Sequence, residues 1–334
     1  MSNAINLDGF VEKCAGIVER HRLQAGAYCR YLWQNEQQNR KMGVNEYGCA
    51  DAANILYTIG RFPRDPAERE ASVRVLRGQQ NPETGLFWEG THHTIHTTAH
   101  CLAALELFDA QPEHPLTALL PYLDREKLYA FLAGLQWEDS PWNNSHQGAG
   151  LYASMVITRT CPLSWQHDYF TWLREHADPE TGLGLKGRNH GQAPMAHQLF
   201  GWFHYFFNHE YARQPIPYPD RLIDTCIDLY RGRALGARWA REIGFMEIDW
   251  VFAMNRASRQ TAHRFAEVKE LLRDCAQDLI PWLETLDPET HEGLNDLHML
   301  FGTVCVLAEL QLALPGEIET TVPLKSVLDR RPFI

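Results

Sequence analysis

Asn81-Pro82-Glu83-Thr84-Gly85-Leu86 returns as Asp178-Pro179-Glu180-Thr181-Gly182-Leu183 and, loosened, as Asp287-Pro288-Glu289-Thr290-His291-Glu292-Gly293-Leu294. The copies begin at 81, 178 and 287, so they lie 97 and 109 residues apart. Each closes an amphipathic helical stretch and precedes a more apolar one. A phrase recurring at such a period marks a repeat architecture. Pro prevents the first helix from continuing, and Gly supplies the positive φ that reverses the chain.

Outward from these turns, helical periodicity dominates and strand signals are nearly absent. Six amphipathic helices are expected at about 7–34, 65–79, 125–136, 164–176, 219–234 and 262–285. Each is followed by a more uniformly apolar helix starting near Tyr47, His93, His146, Pro194, Phe245 and Asn295. The apolar set (50–59, 97–107, 151–157, 198–207, 250–254 and 299–312) lacks a polar face. A helix apolar all round is buried all round. Six buried helices alternating with six half-buried ones predict an all-α fold, an (α/α)6 toroid of two concentric rings. The expectation is one domain over 1–334, with 317–334 a C-terminal tail packed on the ring.

Composition narrows the function. Of 334 residues, 45% are hydrophobic and 22% charged, ordinary for a large soluble core. The formal charge of −11 argues against nucleic acid, which demands concentrated Lys and Arg. The eight cysteines form no CxxC pair or compact framework, which fits buried thiols in a reducing, cytoplasmic setting. The N-terminus carries no basic and apolar run of the secretory kind, so no signal peptide is expected. The longest apolar stretch, 299–314, is too short to span a membrane.

Arg77-Gly78-Gln79-Gln80-Asn81-Pro82-Glu83-Thr84-Gly85-Leu86-Phe87-Trp88, followed by Thr97-Thr98-Ala99-His100-Cys101-Leu102-Ala103-Ala104-Leu105, resembles the repeat of terpenoid cyclase and protein prenyltransferase toroids. In those families a Gln…Gly…Trp turn precedes an inner helix. Six-hairpin glycosidases, polysaccharide lyases and sugar epimerases share the two-ring plan and its Thr-Gly-Leu turns. Glu247-Ile248-Asp249-Trp250 is similar to the DxDD acid motif of class II cyclases, and the resemblance puts the proton-donating role on Asp249. Glu247 stands where that motif has its first Asp, and Trp250 where it has the third. No DDxxD run and no prenyltransferase-like zinc set accompanies it.

In a two-ring fold, polar residues at the starts of inner helices face a central funnel. Tyr47 and Asp51, His92, His93, His96 and His100, Asn144 and His146, His190 and His197, Glu247 and Asp249, and Asn295, Asp296 and His298 fall there. Trp88, Trp142 and Trp250 accompany them. Asp249, among apolar neighbours that disfavour ionisation, is the leading acid. His96 or His100 is expected as base or orienting group, and Asp51 as a carboxylate partner. Tyr47, Trp88, His93, Asn144, His146, His197, Glu247, Trp250, Asn295 and His298 are the expected substrate-binding set. Glu247 and Asp249 cannot share a helix face. His93, His96 and His100 lie on one face, but their span of more than ~10 Å is too long for one ion. A metal would need two of them plus Asp51 or His298, and neither metal nor cofactor is expected.

Imidazoles, carboxyls and aromatics suit a carbohydrate-like small molecule or oligosaccharide handled by proton transfer: hydrolysis, elimination or epimerisation. For hydrolysis, Asp249 and Asp51 would be the carboxylate pair. Two alternatives stand beside it, an isoprenoid cyclase-like enzyme with Asp249 as acid and a non-catalytic binding or scaffold toroid.

Overall fold

The computed structural model describes residues 4–34, 39–185, 193–235 and 243–333. Among the described residues, helix accounts for 60% and strand for 5%, and no sheet closes on itself. The fold is all-α. The helices are α1 (Asp8–Arg20), α2 (Glu46–Thr58), α3 (Pro66–Arg77), α4 (Thr94–Leu107), α5 (Arg125–Ala133), α6 (His146–Ile157) and α7 (Leu163–His176). They continue with α8 (Met195–Tyr211), α9 (Pro219–Arg231), α10 (Met246–Ser258), α11 (Phe265–Thr285), α12 (Glu292–Asn295) and α13 (Leu297–Ala313). Four short strands complete the chain: β1 (Ile5–Asn6), β2 (Arg22–Gln24), β3 (Ala27–Tyr28) and β4 (Ile318–Glu319).

Two helix populations follow from composition. Nearly every residue of α2, α4, α6, α8, α10 and α13 is buried, whereas α1, α3, α9 and α11 bury a stripe and expose the rest. The buried helices pack in series: α2 on α4, α4 on α6, α6 on α8, α8 on α10, α10 on α13, and α13 back on α2. Around them, α1 and α3 lie against α2, and α9 and α11 against α10.

The repeated turns work as their residues dictate. Asn81 Oδ1 accepts from the amides of Glu83 and Thr84, the Gly85 amide donates to Asn81 O, and Gly85 sits at φ +74°. The second copy repeats this, with Asp178 Oδ1 accepting from Glu180 N, and Gly182 at φ +72°. The third departs from it. His291 and Glu292 are inserted ahead of Gly293, the His291 amide donates to Asp287 O, and the chain winds into the short α12.

One expected helix is corrected. The first amphipathic helix, expected over 7–34, ends at Arg20, and β2 and β3 form a short antiparallel hairpin instead. Ala27, Tyr28, Cys29, Arg30 and Tyr31 are buried in succession, a run a half-buried helix would break because its 3.6-residue period brings at least one of five consecutive side chains to solvent. This segment crosses the start of α13, where Tyr31 bridges to Asp296 and the Leu297 amide donates to Arg30 O.

The last segment runs along the opposite ends of the buried helices. β4 pairs in parallel with β1. Lys325 N donates to Thr58 O, Arg330 binds Glu106 and Asp109, and Asn208 Nδ2 donates to Pro332 O at 2.7 Å. Deeper in, Arg256 forms a two-pronged bond with Glu309 (2.7 Å from both Nε and Nη2) and pairs with Asp329. The eight cysteines are free, and all but Cys161 are buried. Among the described residues, no helix is long and apolar enough to cross a membrane.

Candidate functional site

A cavity of about 240 Å³ opens where the first turns of the buried helices converge. Its wall takes His92 and His96 from the start of α4, His146 from α6, His204 from α8, Met246 and Asp249 from α10, and His298 and Met299 from α13. Arg30, Trp142, Asn143, Gly244 and Phe245 complete the lining. A concave pocket with a few converging polar groups is the expected form of a ligand site.

Asp249 is 1% exposed, and neither carboxylate oxygen has a hydrogen-bond partner among the described residues. Burial first, and the neighbouring Glu247 second, push its pKa well above the ordinary carboxylate range. A desolvated carboxyl with no partner keeps its proton. This is the state required of a general acid.

His298 has an orienting partner. Its Nδ1 donates to Asp51, 3.3 Å from Oδ1 and 3.2 Å from Oδ2, which leaves Nε2 as the lone-pair nitrogen of a cavity-lining ring. Asp51 is fully buried and also accepts from His100 Nε2 at 2.7 Å. Burial raises the Asp51 pKa, but the imidazoles of His298 and His100 outweigh it and hold the group ionised. Burial lowers the His298 pKa against the opposing pull of Asp51, so the ring is a neutral base. A base oriented by a buried carboxylate is a recurring catalytic arrangement.

The remaining imidazoles are neutral donors and acceptors. His146 Nδ1 donates to Trp142 O at 2.6 Å, and burial depresses the ring to about 4. His204 Nδ1 donates to Phe200 O at 3.1 Å, with burial bringing it to about 3. His96 Nδ1 hydrogen-bonds the Tyr47 hydroxyl at 2.7 Å, and burial, then His146, lower it far below the usual imidazole value. Arg30 is the one cation of the wall among the described residues. Asp296 grips it from two sides (2.8 and 3.0 Å), Glu89 and Thr91 bind its Nη1, and its plane lies 5.1 Å over the Tyr47 ring.

Several expected site residues lie elsewhere, each for a local reason. Trp88 is 66% exposed, because the turn points Phe87 inward in its place. His93 caps α4, its Nδ1 accepting from Ile95 N. Asn144 turns outward to accept from Gln136 N, and Asn143 faces the cavity instead. Trp250 faces α9, donating to Cys226 O and stacking on Tyr230. Glu247 is buried off the cavity wall, near enough to Cys275 of α11 to raise that thiol's pKa. Asn295 clamps the backbone of Leu32 and Trp33. Tyr47, Asp51 and His100 stand behind the wall, supporting it. His190 lies outside the described residues.

His197 also misses the wall. A π-helical turn (Pro141–Ser145) wedges against α8 at Gly201, where a Cβ would meet Ser145 Oγ at 2.5 Å and Pro141 O at 2.6 Å. His197 lies tilted beside Trp142 outside the cavity, and His204, two turns further along, takes the wall position. Periodicity pointed to it, seven residues after His197, but its Phe-rich surroundings read as core.

Asp51, His100 and His298 also form the one compact set of metal-type donors among the described residues, all within 4.8 Å of one another. Two imidazoles and a carboxylate suit a transition metal. Here the same atoms form N–H···O bonds behind His298. An ion would have to displace both protons and face the positive charge of Arg30 and Arg331, which act electrostatically on His298 and with Asp51. Comparison of the chain with known protein families, curated proteins and solved structures finds no match.

Proposed function

We propose that the chain is an (α/α)6 toroid enzyme performing general acid–base chemistry on a small polyhydroxylated, carbohydrate-like substrate in this cavity. The toroid reading is supported by the serial packing of the six buried helices, which returns from α13 to α2. The catalytic reading is carried by one observation: a buried Asp249 without a hydrogen-bond partner among the described residues shares a cavity wall with His298, whose other nitrogen is held by Asp51. His298 Nε2 takes a proton from substrate carbon or hydroxyl, and Asp249 gives one to the departing or re-protonated centre. Both transfers are of the kind worth ~10²–10⁴-fold each.

The chemistry leans toward elimination or epimerisation. Paired carboxylates would require Asp51 at the cavity, and it stands behind His298 with both its imidazole partners engaged. The isoprenoid alternative calls for a mainly aromatic wall. This one carries four imidazoles besides His92's, a carboxyl and a guanidinium, against Trp142 and Phe245. The test is to incubate the protein in D2O with a panel of aldoses, ketoses and uronates and read carbon-bound deuterium by NMR. Exchange that is lost in both Asp249→Asn and His298→Gln supports the reading. Exchange absent in wild type, or undiminished in both variants, rejects it in favour of a binding or scaffold toroid.

A further inference from the structure

The cavity opens at the N-terminal turns of the buried helices, while the last segment of the chain is bound at their C-terminal ends. Thr58 closes α2, Glu106 nearly closes α4, and Asn208 lies in the last turn of α8, and all three hold residues 325–332. From this anchorage the chain turns inward. Arg331 and Phe333 are both wholly buried. The Phe333 ring lies 4.9 Å from the His96 ring, edge-on, and 5.8 Å from His204. His96 and His204 line the cavity and Phe333 does not, so the phenyl group stands in the layer behind these two rings and backs them.

We propose that Phe333, packed behind His96 and His204, closes the inner end of the cavity as its floor support and sets the length of ligand it admits. Three features support a role beyond anchoring. The residue touches the site's own histidines rather than only outer core. Its approach costs the burial of Arg331, whose guanidinium has no hydrogen-bond partner among the described residues and whose pKa burial lowers to about 10. An unpaired buried guanidinium is expensive, so a segment inserted only for apolar contact would be better served by a neutral residue there. Finally, the two residues that flank Arg331 are fixed, Arg330 through its side chain on Glu106 and Pro332 through its carbonyl on Asn208, so the chain is anchored immediately before the ring.

This inference rests on the cavity being a polyol site, and the experiment separates the two. Histidine-labelled protein is titrated by NMR with glycerol, erythritol, xylitol, sorbitol and maltose, in wild type, Phe333→Leu and Phe333→Ala. The floor role expects the preferred length to increase in both variants, with the affinity ratio of longer to shorter polyol rising roughly tenfold or more for alanine. A lowered Tm with unchanged preference overturns it. If no polyol perturbs a cavity histidine in any protein, the polyol reading fails, and toluene then decides the floor alone. Toluene shifting His96 and His204 in Phe333→Ala but not in wild type upholds it; toluene acting on both proteins or on neither overturns it. Phe333→Leu keeps the comparison available should the alanine variant fold poorly.

Discussion

His298 and Asp51 come from opposite ends of the chain, 247 residues apart, and meet with Nδ1 3.3 Å from Oδ1. The bond fixes which nitrogen of His298 carries the proton and leaves the other for the cavity. It exists because α13 packs back on α2.

Replacing Asp51 by Asn removes the charge and allows the ring to adopt the other tautomer. Turnover is expected to fall by ~10²–10⁴-fold with little change in KM and with the fold retained. Steady-state kinetics beside circular dichroism measure this. Activity within threefold of wild type would sink the base assignment.

With Asp249 as the proposed acid, activity is expected to have an alkaline limb. The acid works only while protonated, so rate falls as pH rises through its elevated pKa, and the acidic limb follows protonation of His298. Stability carries the same sign. A folded pKa raised above the unfolded value stabilises at low pH, and that contribution is lost as pH climbs from about 3.8 through the folded value. Asp249→Asn should therefore be inactive yet gain Tm over wild type as pH increases. A Tm difference independent of pH contradicts the raised pKa.

Acid should unfold the protein through its buried histidines. His21, His146 and His209 are depressed to about 4 and His204 to about 3, in each case by burial. Their stabilisation is complete above the unfolded pKa of 6.5 and is lost as pH falls from there toward the folded values. Each group adds up to roughly 1.4 kcal/mol per pH unit over that window. Urea midpoints at pH 7, 6 and 5 report it, and flat midpoints would refute it.

Arg256 and Glu309 form a nearly inaccessible pair at the closed end of the buried helices, with Asn255 Nδ2 bonded to the same carboxylate at 2.5 Å. Glu309→Gln leaves a buried guanidinium short of charge and is expected to cost ~3–5 kcal/mol. Replacing the pair together, as Arg256→Met with Glu309→Leu, should restore much of that. Chemical denaturation of the single and double variants tests it, and equal losses in both would count against the argument.

Zinc or manganese at one equivalent should leave Tm unchanged, since Asp51, His100 and His298 already satisfy one another through hydrogen bonds. Stoichiometric binding by calorimetry that vanishes in His100→Gln would replace the oriented-base reading with a metal site.

Much of the local structure was legible in the chain. The apolar stretches and Pro-Glu-Thr-Gly turns announce where α2, α4, α6, α8, α10 and α13 begin, because burial on all faces leaves a composition no surface helix has. Asp249, His96, His146 and His298 follow from being polar in the first turns of such helices. What failed was sensitive to neighbours distant in sequence. Trp250 and Asp249 are adjacent in the chain, and only packing against α9 decides that the indole turns outward and the carboxyl inward. His204, not His197, reaches the cavity wall, where α8 packs closely at Gly201 against the π-turn of residues distant in sequence.

The sequence by itself determined helix content, turn positions and the supply of imidazoles and carboxyls, since these depend on periodicity and local backbone preference. Tertiary structure alone decided that Arg30 reaches the wall from a segment expected to be helical, that Asp51 supports His298, and that Phe333 lies beneath His96. Such pairings join residues up to several hundred positions apart. Their energies depend on distance and burial, which no local pattern encodes.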